Sequence, residues 1–476
     1  MASQLVVLGG GPGGYTAAFL AADLGMKVTL VEADPRLGGT CLLRGCIPSK
    51  ALLHVAKVIS EAKELDGWGV RFASPKLEVD ALRARKEKVI DTLTGGLKQL
   101  AKRRNVEVIQ ARGVFENSTT LRLERAEKGA KNETLEFEHC ILASGSRPMK
   151  IPAFDLPTPR VMDSSGALDL PDIPESLLVV GGGYIGLEMG TVYAELGTKV
   201  SVVELTDGLL PGADRDLVKP LHVRMEKRFA AIHLRTKVAS LADKRDSIEV
   251  NFQAADGSGS RSERFSRVLV SVGRRPNSDG LGLENTKVEI DRRGFVVTDD
   301  QQRTADPHIL AIGDVAGEPM LAHKASHQGK VAVEALHGGP AVFAPQAIPA
   351  VVFTDPEIAW AGLTEQAAKA EGREFEAVRY PWAASGRAQS LGRTEGLTKL
   401  LVDPETERIL GVGIVGSGAG ELIAEGVLAI EMGCTARDLA ESIHPHPTLS
   451  ETLSFSGELF LGTATEIYRP RQPAEG

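Results

Sequence analysis

Two rhythms of apolar residues run along this chain. Short continuous runs such as Leu5-Val6-Val7-Leu8 and Leu177-Leu178-Val179-Val180 read as strands buried on both faces. Residues 5–34 give strand, glycine-rich turn, helix, strand, and residues 177–207 repeat that order. The second rhythm is helical. After Cys46, the residues Ala51, Leu52, Val55, Val58, Ile59 and Ala62 recur at spacings of three and four. Residues 78–104 form a long amphipathic helical pattern that stops before the strand Val106–Ile109, and residues 112–138 read as a β-meander. A strand at Cys140–Ala143 then enters the small-residue turn Ser144-Gly145-Ser146-Arg147-Pro148, and Val268–Pro276 echoes it. The strand Ile309–Ile312 ends in Gly313-Asp314, with a helix expected from about Met320. From about residue 346 strands and helices mix, with a hairpin expected at Asp403-Pro404-Glu405-Thr406.

The repeat carries chemistry. Gly9, Gly11 and Gly14 match Gly181, Gly183 and Gly186 at an offset of 172, and Glu32 matches Glu204 at the same offset. One G-x-G-x-x-G is weak evidence of a nucleotide. Two copies, each between a strand and a helix with an acid in register, are strong. The glycines give a tight turn, close approach of backbone to a pyrophosphate, and close helix–strand packing. The helix N-terminus then receives the phosphates. Glu32 and Glu204 are expected to accept hydrogen bonds from ribose hydroxyls. No arginine follows Glu204 until Arg215, which points to NAD rather than NADP. The fold expected is α/β, with two duplicated Rossmann-like domains and a C-terminal α+β interface domain. The expected boundaries are 1–150, 151–275, a central segment 276–345 returning to the first domain, and 346–476.

Composition narrows the partners. The 476 residues are 42% hydrophobic and carry a net charge of −8, which speaks against nucleic acid or an anionic membrane surface. Lys102-Arg103-Arg104 reads as a solvated helix end. No apolar run approaches membrane-spanning length, and a strand beginning at Gln4 leaves no room for a signal peptide. A cytoplasmic location is expected. Four cysteines in a chain this long do not make a secreted disulfide framework. Cys140 and Cys434 read as small buried hydrophobes.

Cys41 and Cys46 lie five positions apart in Gly38–Lys50, with Cys46 at a predicted helix N-terminus that favours a thiolate. The spacing leaves a redox-active pair and a structural pair both open, and a reducing compartment favours the former. The pair follows Glu32 closely, so the first nucleotide site is assigned FAD, which mediates between thiol and hydride chemistry, and the second NAD. Asp314, at the ligand edge of its strand, is either a cofactor contact or a solvated turn residue. Near the end stand His444, His446 and Glu451. Thr448 and Glu451 also fit a capping box, which competes with a His446–Glu451 dyad for the same carboxylate.

Taken together, GGTCLLRGCIPSK at 38–50, the two glycine motifs, AIGD at 311–314, MLAHK at 320–324, FTDPEIAWAGLT at 353–364 and HPHPTLSE at 444–451 resemble the flavin disulfide reductase family, most closely its lipoamide branch. The resemblance covers nearly the whole chain. It implies a homodimer that oxidises dihydrolipoyl groups, delivered on a lipoyl carrier protein or an E2 acyltransferase of a 2-oxo acid dehydrogenase or glycine cleavage complex. In its terms Cys41 is the interchange thiol and Cys46 the thiol beside the flavin. His446 is the base, oriented by Glu451, both reaching the disulfide from the other subunit, and an imidazolium near Cys41 should lower its pKa. Lys50 and Glu188 match an ion pair at the flavin. Ser144, Gly145, Gly113, Asp314, Met320, Leu321 and Ala322 match the FAD side. Tyr184, Ile185, Val238 and Gly273 match the NAD side. The alternatives are a glutathione- or mercuric-reductase-like enzyme, or a flavoprotein with a mainly docking role. An absence of cysteine after Cys434 and the acid at Glu204 argue against the sister enzymes.

Overall fold

The computed structural model describes residues 3–125 and 133–467; the middle of the predicted meander, residues 126–132, lies outside them. The chain begins β1 (Ser3–Leu8), α1 (Pro12–Asp23), β2 (Val28–Glu32), α2 (Gly39–Arg44), α3 (Cys46–Glu64), α4 (Val79–Arg103), β3 (Glu107–Gln110), β4 (Arg112–Asn117), β5 (Thr120–Glu124), β6 (Glu133–Leu142) and β7 (Ser146–Pro148). Strands β3, β2, β1 and β6 pair in parallel in that order. Their side chains, among them Leu5, Val7, Leu30 and Ile141, are buried. That burial on both faces is why the sequence shows unbroken apolar runs rather than alternation.

Where a meander followed by a separate strand was expected, β6 is one ten-residue strand serving two sheets. Its first half pairs antiparallel with β5, and Phe137–Leu142 run parallel to β1. The exposed-then-buried pattern along β6 produces the apparent break in the sequence.

The second unit repeats the plan: β8 (Val161–Met162), α5 (Ser164–Leu168), β9 (Ser176–Val180), α6 (Tyr184–Glu195), β10 (Lys199–Val203), α7 (Arg215–Arg228), β11 (Ala231–His233), β12 (Thr236–Asp243), β13 (Ile248–Ala254), β14 (Ser260–Phe265), β15 (Arg267–Val270) and β16 (Arg274–Pro276). Strands β11, β10, β9, β15 and β8 form a parallel sheet, and β12–β13–β14 an antiparallel one. β7 and β16 pair antiparallel and tie the two units together.

The chain then returns. β17 (Ile309–Ala311) adds to the far side of β6, and α8 (Ala322–Leu336) packs on α1. Small residues permit that approach: a Cβ on Gly329 would come within 2.8 Å of the Gly13 carbonyl oxygen.

The last unit is β18 (Ala350–Val352), β19 (Glu357–Gly362), α9 (Glu365–Glu371), β20 (Glu376–Pro381), α10 (Gly386–Leu391), β21 (Leu397–Val402), β22 (Ile409–Gly416), α11 (Ala419–Glu431), α12 (Ala436–Glu441) and α13 (Glu451–Leu461). Its antiparallel sheet runs β18–β19–β22–β21–β20, with the predicted hairpin joining β21 to β22.

Lys399 of β21, 1% exposed, carries its ammonium to Asp214 (2.6 Å) and Asp216 (2.7 Å) at the start of α7 and to Glu365 of α9 (3.0 Å). This buried cluster fastens the last unit to the second. Among the described residues no helix is long and apolar enough to cross a membrane.

Candidate active site

Each glycine turn is closed by its own acid. Glu32 accepts from the Gly10 amide at 2.6 Å and the Asp34 amide at 2.8 Å. Glu204 accepts from Gly182 at 2.7 Å and from the Thr206 amide at 2.8 Å. Both carboxylates are buried, and burial pushes the Glu32 carboxyl above its ordinary value against the pull of the Gly10 and Ala33 amides. The acids expected to read ribose thus also hold the turns shut. The glycines divide as the motif requires. A Cβ on Gly9 or Gly14 would strike the Ala143 or Gly9 carbonyl at 2.3 and 1.8 Å, whereas one on Gly11 would meet nothing nearer than 3.8 Å. Gly11 faces the open groove, and α1 begins behind it.

Two connected cavities run along this turn. One of about 610 Å³ is lined by Gly9, Gly11, Glu32, Asp34, Gly113 and Ser144, among others. The other, about 160 Å³, contains Cys41, Cys46, Lys50, Gly145, Tyr184, Ile185, Glu188, Asp314, Met320 and Ala322. Asp314 accepts the Ser146 hydroxyl at 2.5 Å and lines this cavity, so it is not a solvated turn residue.

The cysteines stand where the second cavity meets the start of α3. Both are thiols, hydrogen-bonded to each other. Cys46, helped by the hydrogen bond from Cys41 and by the Lys50 ammonium against the opposing effect of partial desolvation, is brought down to about 7. Cys41 is pushed up, because it gives its proton to that bond and, half-buried, is partly desolvated. The imidazolium expected to lower Cys41 is one from the other subunit; within this chain no histidine among the described residues lines the cavity.

Lys50 reaches Glu188 of α6 at 2.9 and 3.1 Å and lies 4.3 Å from the centre of the Phe353 ring. Glu188 also accepts from the Phe353 amide at 3.0 Å. These are not solvated charges; three parts of the chain meet at them. Tyr184 lines the cavity yet is 41% exposed, and partial desolvation there raises its phenol to about 12.

The two histidines of the last unit differ sharply. His446 has its Nδ1 2.7 Å from Glu451, no partner on Nε2 among the described residues, and a side chain 76% exposed. His444 has both nitrogens engaged and is 9% exposed. Only His446 has a nitrogen free for proton transfer. The competition expected for Glu451 does not occur. One carboxylate oxygen takes His446 and the other accepts from the Thr448 amide at 2.8 Å. The Thr448 hydroxyl turns to Pro445 and Ser450 instead of completing a capping box.

The profile of the pyridine nucleotide-disulphide oxidoreductase family matches residues 3–329, and that of its dimerisation domain matches residues 348–455. The chain belongs to the pyridine nucleotide-disulphide oxidoreductase family. It is 48% identical to a dihydrolipoyl dehydrogenase of Vibrio parahaemolyticus over 465 residues, 98% of this chain and 97% of that one. It is 45% identical to a dihydrolipoyl dehydrogenase of Halobacterium salinarum, covering 97% of each. Among solved structures, LpdA from Mycobacterium tuberculosis superposes with a TM-score of 0.88 at 27% identity, over 96% of this chain and 100% of that one. The Cu(II) complex of the HOCl-induced flavoprotein disulfide reductase RclA from Escherichia coli gives 0.86 at 28% identity, over 96% and 99%. As a member of this family the chain is an oxidoreductase that uses FAD and NAD.

The residues present fit those cofactors. The groove from Glu32 past Gly11 to Cys46 offers a helix N-terminus, small residues and Asp314 to FAD. Tyr184 and Ile185 enter from the NAD side. Gly181, Gly183, Gly186, Glu204, Val238 and Gly273 stand apart from these two cavities. Val238 packs its side chain into an apolar cluster, and Leu321 precedes α8 without lining the groove. Arg215 is not available to a phosphate, since it donates to the carbonyls of Leu209, Leu210 and Ala213. Arg235 escaped the linear count: its amide donates to the Thr206 carbonyl at 2.9 Å, beside Glu204. Its guanidinium lies 4.0 Å from Asp207, within the same turn.

Arg274 was missed altogether. It donates to the Ser146 hydroxyl (2.8 Å) and carbonyl (2.7 Å) and lines both cavities from β16. In the echoed turn Arg274 stands where the first copy has Ser146, and Arg275 matches Arg147, so the repeat gave no signal for it. Arg44, paired with Asp34, lines both cavities as well.

Proposed function

We propose that this chain acts as a dihydrolipoyl dehydrogenase, oxidising dihydrolipoyl groups carried by a partner protein and reducing NAD⁺, as a homodimer in which His446 of one subunit serves the Cys41–Cys46 pair of the other. The observation that carries the reading is the placement of Cys46, lowered to about 7, in one cavity with Lys50, Glu188 and Tyr184. The dimer supports it from the other direction. His446 has its free nitrogen exposed yet does not line its own chain's cysteine cavity, and a dimerisation domain spans it. The proposed domain limits are 1–150, 151–275, 276–345 and 346–476.

The chain's groups divide the work. His446, aligned by Glu451, takes a proton from one thiol of the dihydrolipoyl group. The thiolate attacks Cys41 in the Cys41–Cys46 disulfide, forming a mixed disulfide and releasing Cys46 as a thiolate. The second lipoyl thiol closes the dithiolane ring and expels Cys41, passing its own proton to that sulfur, so that Cys41 ends as a thiol and His446 keeps the first proton, which becomes the H⁺ of the overall reaction. Cys46 stays ionised against the Cys41 thiol and the Lys50 ammonium. Bound FAD supplies the means of passing this electron pair to NAD⁺ as a hydride. The balance is dihydrolipoamide + NAD⁺ giving lipoamide + NADH + H⁺. A thiol pair of this kind suits a reducing compartment, and a cytoplasmic location goes with the reading.

Anaerobic titration with dihydrolipoamide tests it. A long-wavelength thiolate–flavin band followed by stoichiometric NADH on adding NAD⁺ is expected; an unchanged spectrum and no NADH would overturn the proposal.

A further inference from the structure

Residues 443–448 link α12 to α13 with unusual economy. Among the described residues, none of them takes part in a main-chain to main-chain hydrogen bond, and Pro445 and Pro447 have no N–H to give. Side chains must fix the segment instead. At its downstream end Glu451 holds both His446 and the Thr448 amide. At its upstream end stands a second histidine–carboxylate pair: His444 Nε2 lies 2.6 Å from Glu425 Oε1, and its Nδ1 lies 2.8 Å from the Ser442 carbonyl.

Glu425 belongs to α11, which packs against β19 and β22 through positions as tight as Gly426, where a Cβ would meet Val412 at 2.9 Å. It is therefore a rigid anchor. Between the two histidines lies Pro445, whose ring fixes its own φ and limits the residue before it. Few soft torsions remain between a fixed His444 and His446.

We propose that Glu425–His444 is a positioning pair for the thiol-side base. It pins the backbone two residues upstream of His446, so that Glu425, His444 and Glu451 together aim the free Nε2 of His446. His444 takes no proton from substrate, since both its nitrogens already face acceptors and it is buried. This rests on the proposed base role of His446.

The test uses the FAD-loaded dimer in stopped flow and reads two half-reactions separately: flavin reduction by dihydrolipoamide and flavin reduction by NADH. Glu425→Ala is expected to slow the first about tenfold or more and to leave the second within about twofold, because misplacement of a base affects only the step that uses it. Glu425→Gln keeps an oxygen to accept the His444 N–H and should restore most of the thiol-side rate. His446→Gln, run alongside, should lose about a hundredfold or more on the thiol side alone. A wild-type thiol-side rate in Glu425→Ala, an equal loss of both half-reactions, or no rescue by Glu425→Gln would overturn the positioning role. If His446→Gln itself reacts normally with dihydrolipoamide, the base assignment fails. If it is slow while Glu425→Ala is normal, only the positioning inference fails.

Discussion

Replacing Cys41 by alanine removes the S–H on which the Cys46 thiolate rests. Cys46 is held at about 7, chiefly by that hydrogen bond. An unperturbed thiol sits at about 8.5, and Cys46 is exposed to solvent, so without that bond it should return to the ordinary thiol range. Partial desolvation works against the thiolate, while Lys50 and the start of α3 favour it and remain in the variant. The expected outcome for Cys41→Ala is a Cys46 that titrates at or above the ordinary thiol value. At pH 7 its thiolate fraction would fall from about one half to about 3%, and iodoacetamide would alkylate it about 15-fold more slowly. The assay is a time course on the reduced protein, with the Cys46-containing peptide quantified by mass spectrometry across pH 5–10. Cys41→Ser retains a donor and should lose much less. Equal alkylation of wild type and Cys41→Ala at pH 7 would refute the reasoning and give the thiolate to Lys50 and the helix terminus.

Other perturbations test the charged joints. Lys50→Met leaves Glu188, whose side chain is 4% exposed, without its cation. Because Lys50 is itself 31% exposed, the expected cost is discounted to about 2 kcal/mol. It would be read as a lower urea midpoint and partly recovered in Lys50→Met/Glu188→Gln; a double variant no better than the single would contradict this. Lys399→Met takes from Asp214 its only cation among the described residues and leaves Asp216 and Glu365 to Arg379. It should cost about 3 kcal/mol in guanidinium unfolding, whereas a loss under about 1 kcal/mol would show the cluster to be dispensable. Burial tends to raise Asp216 and Asp355, but Lys399 and Arg379 for the first, and Arg393 and Arg224 for the second, hold both below their ordinary value. Their contribution is therefore complete above the unfolded value of about 3.9 and is lost as pH falls through the lower folded values. Urea midpoints should be flat with respect to these groups from pH 7 to 5 and fall below about pH 4; no fall would count against the two networks.

Much of the architecture was readable because it rests on local rules. Gly9 and Gly14 pack against carbonyls that leave no room for a Cβ, so the turn demands glycine and announces itself. The buried parallel strands had to be continuous apolar runs. Cys46 at the head of α3 followed from the helical spacing after it. What stayed hidden depends on contacts between distant segments. Nothing around Lys399 in the sequence distinguishes it from a surface lysine, because its three partners come from other elements. Arg274 and Arg235 belong to strand ends that only the folded sheet brings beside the nucleotide turns. Arg104, read as part of a solvated helix end, pairs with Asp23 at 2.9 Å, since α4 ends beside α1. Glu425 is 19 residues from His444, with no motif linking them.

The two-handed grip of Glu451 has a consequence for genetics. One oxygen serves the proposed base and the other closes the entry to α13, so a substitution there alters a reaction and a fold boundary at once. Loss of activity at this position is an ambiguous phenotype: a low yield of folded protein and a misaimed imidazole predict the same inactive extract. His446, exposed and holding nothing but Glu451, is the cleaner reporter of chemistry. A screen that recovers inactivating changes at residue 451 but measures no protein level would assign to catalysis a defect whose share in assembly it had never separated.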